Sequence, residues 1–179
     1  MILEWLTAEL KSKRFAYPDQ IGGRRSVDLV TDPSLENGSD NAARRDLLTE
    51  VRGYSSRTLI FTGFPTKVDW FWASLAHEDL GRLFYLNDEG WVRLTNGTRV
   101  VVDGATNIAG TKDAEAVTAI ADEYASGNPP PRPIIVEHED RLIVLEGCLR
   151  VTAFVVSNQP GPLQVLLGRS PHMGGWYFV

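Results

Sequence analysis

The sequence holds a single cysteine, Cys148, in 179 residues. One thiol cannot form an intramolecular disulfide, so the default compartment is a reducing one and a cytoplasmic location is expected. Histidine is also scarce. His77, His138 and His172 are scattered, and with one cysteine they give no zinc-type ligand spacing. No Walker-type glycine-rich loop is present. No apolar run approaches the roughly 20 residues needed to cross a bilayer. Met1-Ile2-Leu3-Glu4-Trp5 carries an acid where a signal peptide is basic. Positive charge is not in excess, since the net charge is −5. A stand-alone DNA-binding face is therefore not expected, although a local basic pocket stays open.

What remains is an ordinary globular composition, 43% hydrophobic and 23% charged. A chain of this size can bury a core without disulfides or metals. The expected fold class is α+β, or α/β, as a single domain with a mixed β-sheet and a C-terminal β-β-α-β unit. Residues 1–90 are expected to be a helical and irregular extension with one or two strands, and residues 91–179 the principal domain.

Local pattern predicts a helix over 2–12, an irregular segment over 15–40, and a helix over 41–52 capped by Ser39 or Asp40. Arg57 to Thr62 reads as a strand. Val68, Phe71, Trp72 and Leu75 follow the i, i+3, i+4, i+7 spacing of a helix. Residues 82–86 and 91–94 read as short strands, and Asn96-Gly97 as the turn of a hairpin joining Trp91–Thr95 to Thr98–Val102. A helix follows from Thr111 or Asp113 to Ser126, with Val117, Ile120, Ala121 and Tyr124 as its apolar stripe and Gly127 as its stop. The run Asn128-Pro129-Pro130-Pro131-Arg132-Pro133 is a stiff connector.

Beyond it, 133–137 and 141–145 read as strands about a His138-Glu139-Asp140 turn, the second of them central and buried. Residues 148–157 read as a short buried helix and 163–167 as a third strand. Within Leu142–Val156 the charged residues are Glu146 and Arg150, both at the strand-to-helix junction. Arg150 lies in the first helical turn, where the macrodipole disfavours a cation. A bound anion would compensate, with free backbone N–H groups and the guanidinium converging on it and Gly147 allowing close approach. The plain alternative is that Glu146 and Arg150 pair with each other and need no ligand.

Pro133–Leu167, with the helix at 111–126 before it, resembles the ParB/sulfiredoxin-like superfamily. Gly147, Arg150 and Ala153 match the Gly-x-x-Arg box that contacts nucleotide phosphates in ParB-type partition proteins. Gly147-Cys148-Leu149-Arg150 matches the Gly-Cys-His-Arg motif of sulfiredoxins except at Leu149. Trp91-Val92-Arg93-Leu94-Thr95-Asn96-Gly97-Thr98-Arg99 and the Glu-Gly-x-x-Arg box resemble an uncharacterised bacterial ParB-like group. The resemblance covers roughly 91–170.

It implies a phosphate-bearing ligand, with a nucleotide and Mg²⁺ as the cofactor expectation. Gly147, Cys148, Leu149, Arg150, Thr98, Arg99 and His172 are the candidate ligand-binding residues. Glu146 is the candidate catalytic carboxylate if phosphoryl transfer or hydrolysis follows. A non-catalytic nucleotide-sensing or interaction module, with room for a protein partner, is the alternative. A second is thiol redox chemistry at Cys148, whose pKa a helix N-terminus and Arg150 would lower. No membrane partner is expected.

Overall fold

A computed structural model describes residues 1–11, 24–52 and 59–179. The chain divides into two compact units, Met1–Phe64 and Pro65–Val179. The division falls well ahead of the boundary expected at residue 90, because strands from 69–84 pair into the same sheet as the C-terminal ones. Among the described residues no helix is long and apolar enough to cross a membrane.

The first unit is helical. It comprises α1 (Ile2–Lys11), α2 (Arg24–Thr31), α3 (Gly38–Arg52) and a 3-10 turn at Leu59–Phe61. Trp5, Leu6, Leu47 and Leu48 are buried. Trp5 Nε1 donates to Glu9 Oε1 at 3.2 Å, one turn along α1. Buried Arg44 on α3 donates to Leu29 O at 2.7 Å, Asn41 Oδ1 at 2.6 Å and Ser34 O at 3.1 Å, stapling the end of α2 and the following loop to α3.

Three expectations need correction in this unit. The segment taken as irregular contains α2. Asn37, rather than Ser39 or Asp40, caps α3, its Oδ1 accepting from the N–H groups of Ser39 at 2.9 Å and Asp40 at 3.3 Å. Leu59–Phe61 is 3-10 rather than strand. The expectations for 12–23 and 53–58 lie outside the described residues.

The second unit is built on one mixed sheet of five strands in the order β1-β5-β3-β4-β2. The strands are β1 (Asp69–Leu75), β2 (Leu83–Phe84), β3 (Ile134–His138), β4 (Arg141–Glu146) and β5 (Leu163–Arg169). β1 is antiparallel to β5, β3 is parallel to β5 and antiparallel to β4, and β2 is parallel to β4. Helices α4 (Glu89–Leu94), α5 (Val101–Asn107), α6 (Ala114–Ala125) and α7 (Cys148–Ser157) complete the unit.

Side chains alternate across the sheet. Ile135, Leu142, Val144, Leu163, Val165 and Leu167 pack with Val101, Val151 and Phe154 in one core, Tyr124 lying against it. Each fully buried aliphatic or aromatic side chain here stabilises the fold by about 1.5–3 kcal/mol. On the opposite side of the strands Ile134, Val136, Ile143, Leu145 and Leu166 are also buried. The order β3-β4-α7-β5 is the expected β-β-α-β succession. β4 is an interior strand, flanked by β3 and the two-residue β2, and Leu142, Ile143, Val144 and Leu145 are buried on it, as its continuous apolar run led one to expect.

The stretch 68–102 departs most from expectation. Residues 69–75 are an edge strand in register with β5, Asp69 opposite Arg169 and Leu75 opposite Leu163. The four apolar residues that fit a helical period also fit a strand whose aromatic side chains are partly exposed. Residues 91–94 belong to α4, which starts where Asp88 caps the N–H of Gly90 at 3.0 Å. Asn96 and Gly97 do adopt positive φ, 51° and 96°. They end a helix instead of turning a hairpin, with Gly97 N–H donating to Val92 O at 2.8 Å in the C-terminal pattern of an α-helix. The helix α5 then begins at Val101. Gly104 on α5 has no Cβ because the Tyr85 ring occupies that space, its hydroxyl 2.5 Å from where a Cβ would sit.

Candidate functional site at the start of α7

β4 ends at Glu146 and Gly147 turns the chain with φ 95°, a left-handed conformation that favours glycine. Val151 N–H closes the first helical bond onto Gly147 O at 3.0 Å. Arg150 folds back over this turn. A Cβ on Gly147 would lie 2.9 Å from both Nε and Nη2 of Arg150, so a side chain there would push the guanidinium aside in addition to the strain at positive φ.

Arg150 is 8% exposed. Its Nη2 donates to Glu146 Oε2 in an ion pair, and its Nη1 donates to Pro131 O at 2.8 Å and reaches Arg132 O at 3.3 Å. The dipole problem posed by a cation in the first turn is thus met within the chain, by the neighbouring carboxylate. The same guanidinium ties the proline-rich connector to α7.

Cys148 packs against the core. Burial pushes its thiol up to about 12; a backbone hydrogen bond works against this and the charge of Asp88 adds to it. The expected lowering by the helix N-terminus and Arg150 is therefore reversed, because desolvation of a thiolate outweighs the dipole of one helix. At neutral pH the thiol is protonated and a poor nucleophile.

Beneath the turn, Thr152 Oγ1 donates to Cys148 O at 2.8 Å, which leaves Tyr85 to donate its hydroxyl to Thr152 at 2.6 Å. Tyr85 is fully buried and stacks on Trp91 with ring centroids 4.4 Å apart. Burial raises its pKa. Tyr124 of α6 packs against the same core. Burial pushes it up to about 12 against the pull of the Arg150 charge. Its ring meets Phe154 edge-on at 5.4 Å.

Glu146, Gly147, Cys148, Leu149 and Arg150 are brought together by one turn. Three other candidates are engaged elsewhere. Thr98 Oγ1 bonds the Asp103 carboxylate and lies 3.2 Å from Thr95 O. Arg99, itself at φ 62°, donates to Phe178 O at 3.2 Å, and its pKa is lowered by burial and then by the charge of Arg141. Arg141 starts the strand that Glu146 ends. His172 is exposed and follows β5, whose Arg169 lies opposite Glu137, whereas Glu146 lies opposite Ile134 at the other end of β3. Three strand steps separate Ile134 from Glu137 and five separate Glu146 from Arg141, roughly 10 Å and 17 Å.

Sequence reading placed Tyr124 in a core stripe and gave Tyr85 no role. The hydroxyl at the tip of an amphipathic side chain was the available signal for both. Among the described residues no group of three or more His, Cys, Asp or Glu side chains could hold a metal ion.

Fold and site together define a mixed-sheet α+β protein with a buried arginine–carboxylate turn. No family model, curated protein or solved structure matches the chain.

Proposed function

We propose that the Glu146–Arg150 turn binds a phosphate-bearing small ligand, a nucleotide above others, as a non-catalytic module of the ParB/sulfiredoxin-like kind. The observation that carries this reading is the guanidinium of Arg150 lying across a left-handed glycine at the start of a ten-residue helix, with Glu146 as its anionic partner. Glu146 then acts as a resident anion. A phosphate oxygen replaces it on Nη2 and takes the N–H groups of the first turn, an arrangement suited to phosphate at helix N-termini. Mg²⁺ enters with the nucleotide phosphates.

One feature favours binding over chemistry: the thiol in the turn is held protonated. A second reading is favoured by the two carbonyls on Nη1: the pair is a structural clasp for the connector and takes no ligand.

Thermal unfolding with ATP, GTP or pyrophosphate, with and without Mg²⁺, separates the two. A ligand that binds only the folded state raises the midpoint by about 2–4 °C for each kcal/mol of linkage. Arg150→Lys should keep the fold and lose most of that rise, because lysine lacks the planar fork. No rise with any of these ligands, in the native protein or in Glu146→Gln, leaves the clasp reading standing.

A further inference from the structure

The second unit has a free sheet edge of an unusual kind. Among the described residues β1 pairs on one side only, with β5. It is seven residues long, and its sequence, Asp-Trp-Phe-Trp-Ala-Ser-Leu, has one charge at its first position and no proline or lysine. Edge strands are normally protected by such residues or by being short, because their unpaired N–H and C=O groups recruit another strand.

Two large aromatics stand exposed on this edge, Phe71 at 48% and Trp72 at 61%. Successive residues face opposite sides of the sheet, and an arginine attends each. Arg169 lies over the Phe71 ring at 5.9 Å and Arg132 over the Trp72 ring at 4.8 Å. Arg169 is also paired with Glu137. Arg132 is exposed and its side chain has no carboxylate partner among the described residues. The edge is therefore mostly apolar, with Arg132 as an unneutralised cation beside its middle on one face and Arg169, neutralised by Glu137, on the other.

We infer that β1 is a docking edge for an extended acidic segment of a partner protein, added as a sixth strand. An added strand also alternates its side chains. An acidic residue opposite Trp72 would meet Arg132 on its face, while the main chain takes the edge hydrogen bonds. Charge decides between this occupant and a second copy of the chain. Antiparallel self-pairing about Trp72 would bring Arg132 against its own counterpart, a like-charge contact that disfavours the dimer. This edge is separate from the phosphate reading and does not depend on it.

The test uses the full chain and a synthetic seven-residue peptide with two central glutamates flanked by valine and threonine. A control peptide carries lysines in their place. Tryptophan fluorescence reads affinity, hydrogen exchange of the β1 amides reads strand addition, and size exclusion reads oligomeric state. The inference expects saturable binding of the glutamate peptide, slowed exchange confined to β1, and little binding of the lysine peptide. Arg132→Glu and Trp72→Lys alter exposed side chains and should leave the fold intact. Arg132→Glu should weaken the glutamate peptide about tenfold or more. Equal binding of both peptides, no protection of β1, or a dimer that Trp72→Lys dissociates would each overturn it.

Discussion

Among the described residues each compact unit buries one arginine in a web of oxygens, and the two webs differ in one respect. Around Arg44 the acceptors are the carbonyls of Leu29 and Ser34 and the amide of Asn41, all neutral. Around Arg150 there are two carbonyls and a carboxylate. Carbonyls belong to the backbone and cannot leave without unfolding a segment. A carboxylate on a flexible side chain can rotate away and be replaced by another anion. Arg44 is thereby a staple, whereas Arg150 is a staple with one exchangeable ligand. Charge also alters the energetics, because removing the anion strands a buried cation, while removing a neutral acceptor costs a single hydrogen bond.

The largest expected effect tests that asymmetry. Glu146→Ala should lower stability in urea by about 3 kcal/mol, the scale for breaking a buried pair from one side. Asn41→Ala in the other unit should lose about 1 kcal/mol. Equal losses would erase the distinction. Inorganic phosphate or pyrophosphate should restore part of what Glu146→Ala loses and none of what Asn41→Ala loses.

A middle-sized effect is expected at Gly147. Gly147→Ala forces a side chain into positive φ and into the guanidinium, at a cost of about 2 kcal/mol. Loss of the ligand-induced rise in unfolding temperature should accompany it, since the guanidinium must move. A stable Gly147→Ala protein with full ligand response would show that Arg150 does not need its place over the turn.

At neutral pH the smallest effect belongs to Cys148. Its thiol, raised from 9.0 to about 12, should alkylate slowly at pH 7, and Cys148→Ala should keep the ligand response. The same shift has a consequence in alkali. A folded pKa above the unfolded one means that the unfolded chain loses its proton first. Stability is then intact below about pH 9 and declines as pH rises toward 12. Tyr124, raised from 10.0 to about 12, acts in the same direction from about pH 10. Urea midpoints measured from pH 8 to 11 should fall, and fall less in Cys148→Ala. A flat profile would contradict the burial of these groups.

The part of the fold that sequence revealed best is the part whose signals are local. β3, β4, α7 and β5 are apolar runs closed by Glu139 in positive φ, Gly147 and Pro160-Gly161-Pro162, so length and punctuation identify them. α6 is legible for the same reason, with Gly127 at φ 76° as its stop. β1 was hidden because the spacing of Val68, Phe71, Trp72 and Leu75 satisfies a helix. What makes it a strand is pairing with β5, roughly 90 residues away, which no local window contains. Asn96-Gly97 gave a true report of backbone geometry and a false one of context, since positive φ serves hairpins and helix ends alike.

At the site, the close spacing of Glu146 and Arg150 was legible, and so was the choice it posed. The connector carbonyls, Tyr124 and the Arg132–Trp72 contact were not, because each depends on how distant segments meet.

The exchange of one anion for another on Arg150 is measured most directly by titrating ATP or pyrophosphate into Glu146→Gln and the native protein by calorimetry. Glutamine keeps the shape of the resident group and removes its charge, so the account predicts binding about tenfold tighter in Glu146→Gln. Equal affinity, or no binding in either protein, would contradict it and leave Arg150 as a second staple like Arg44.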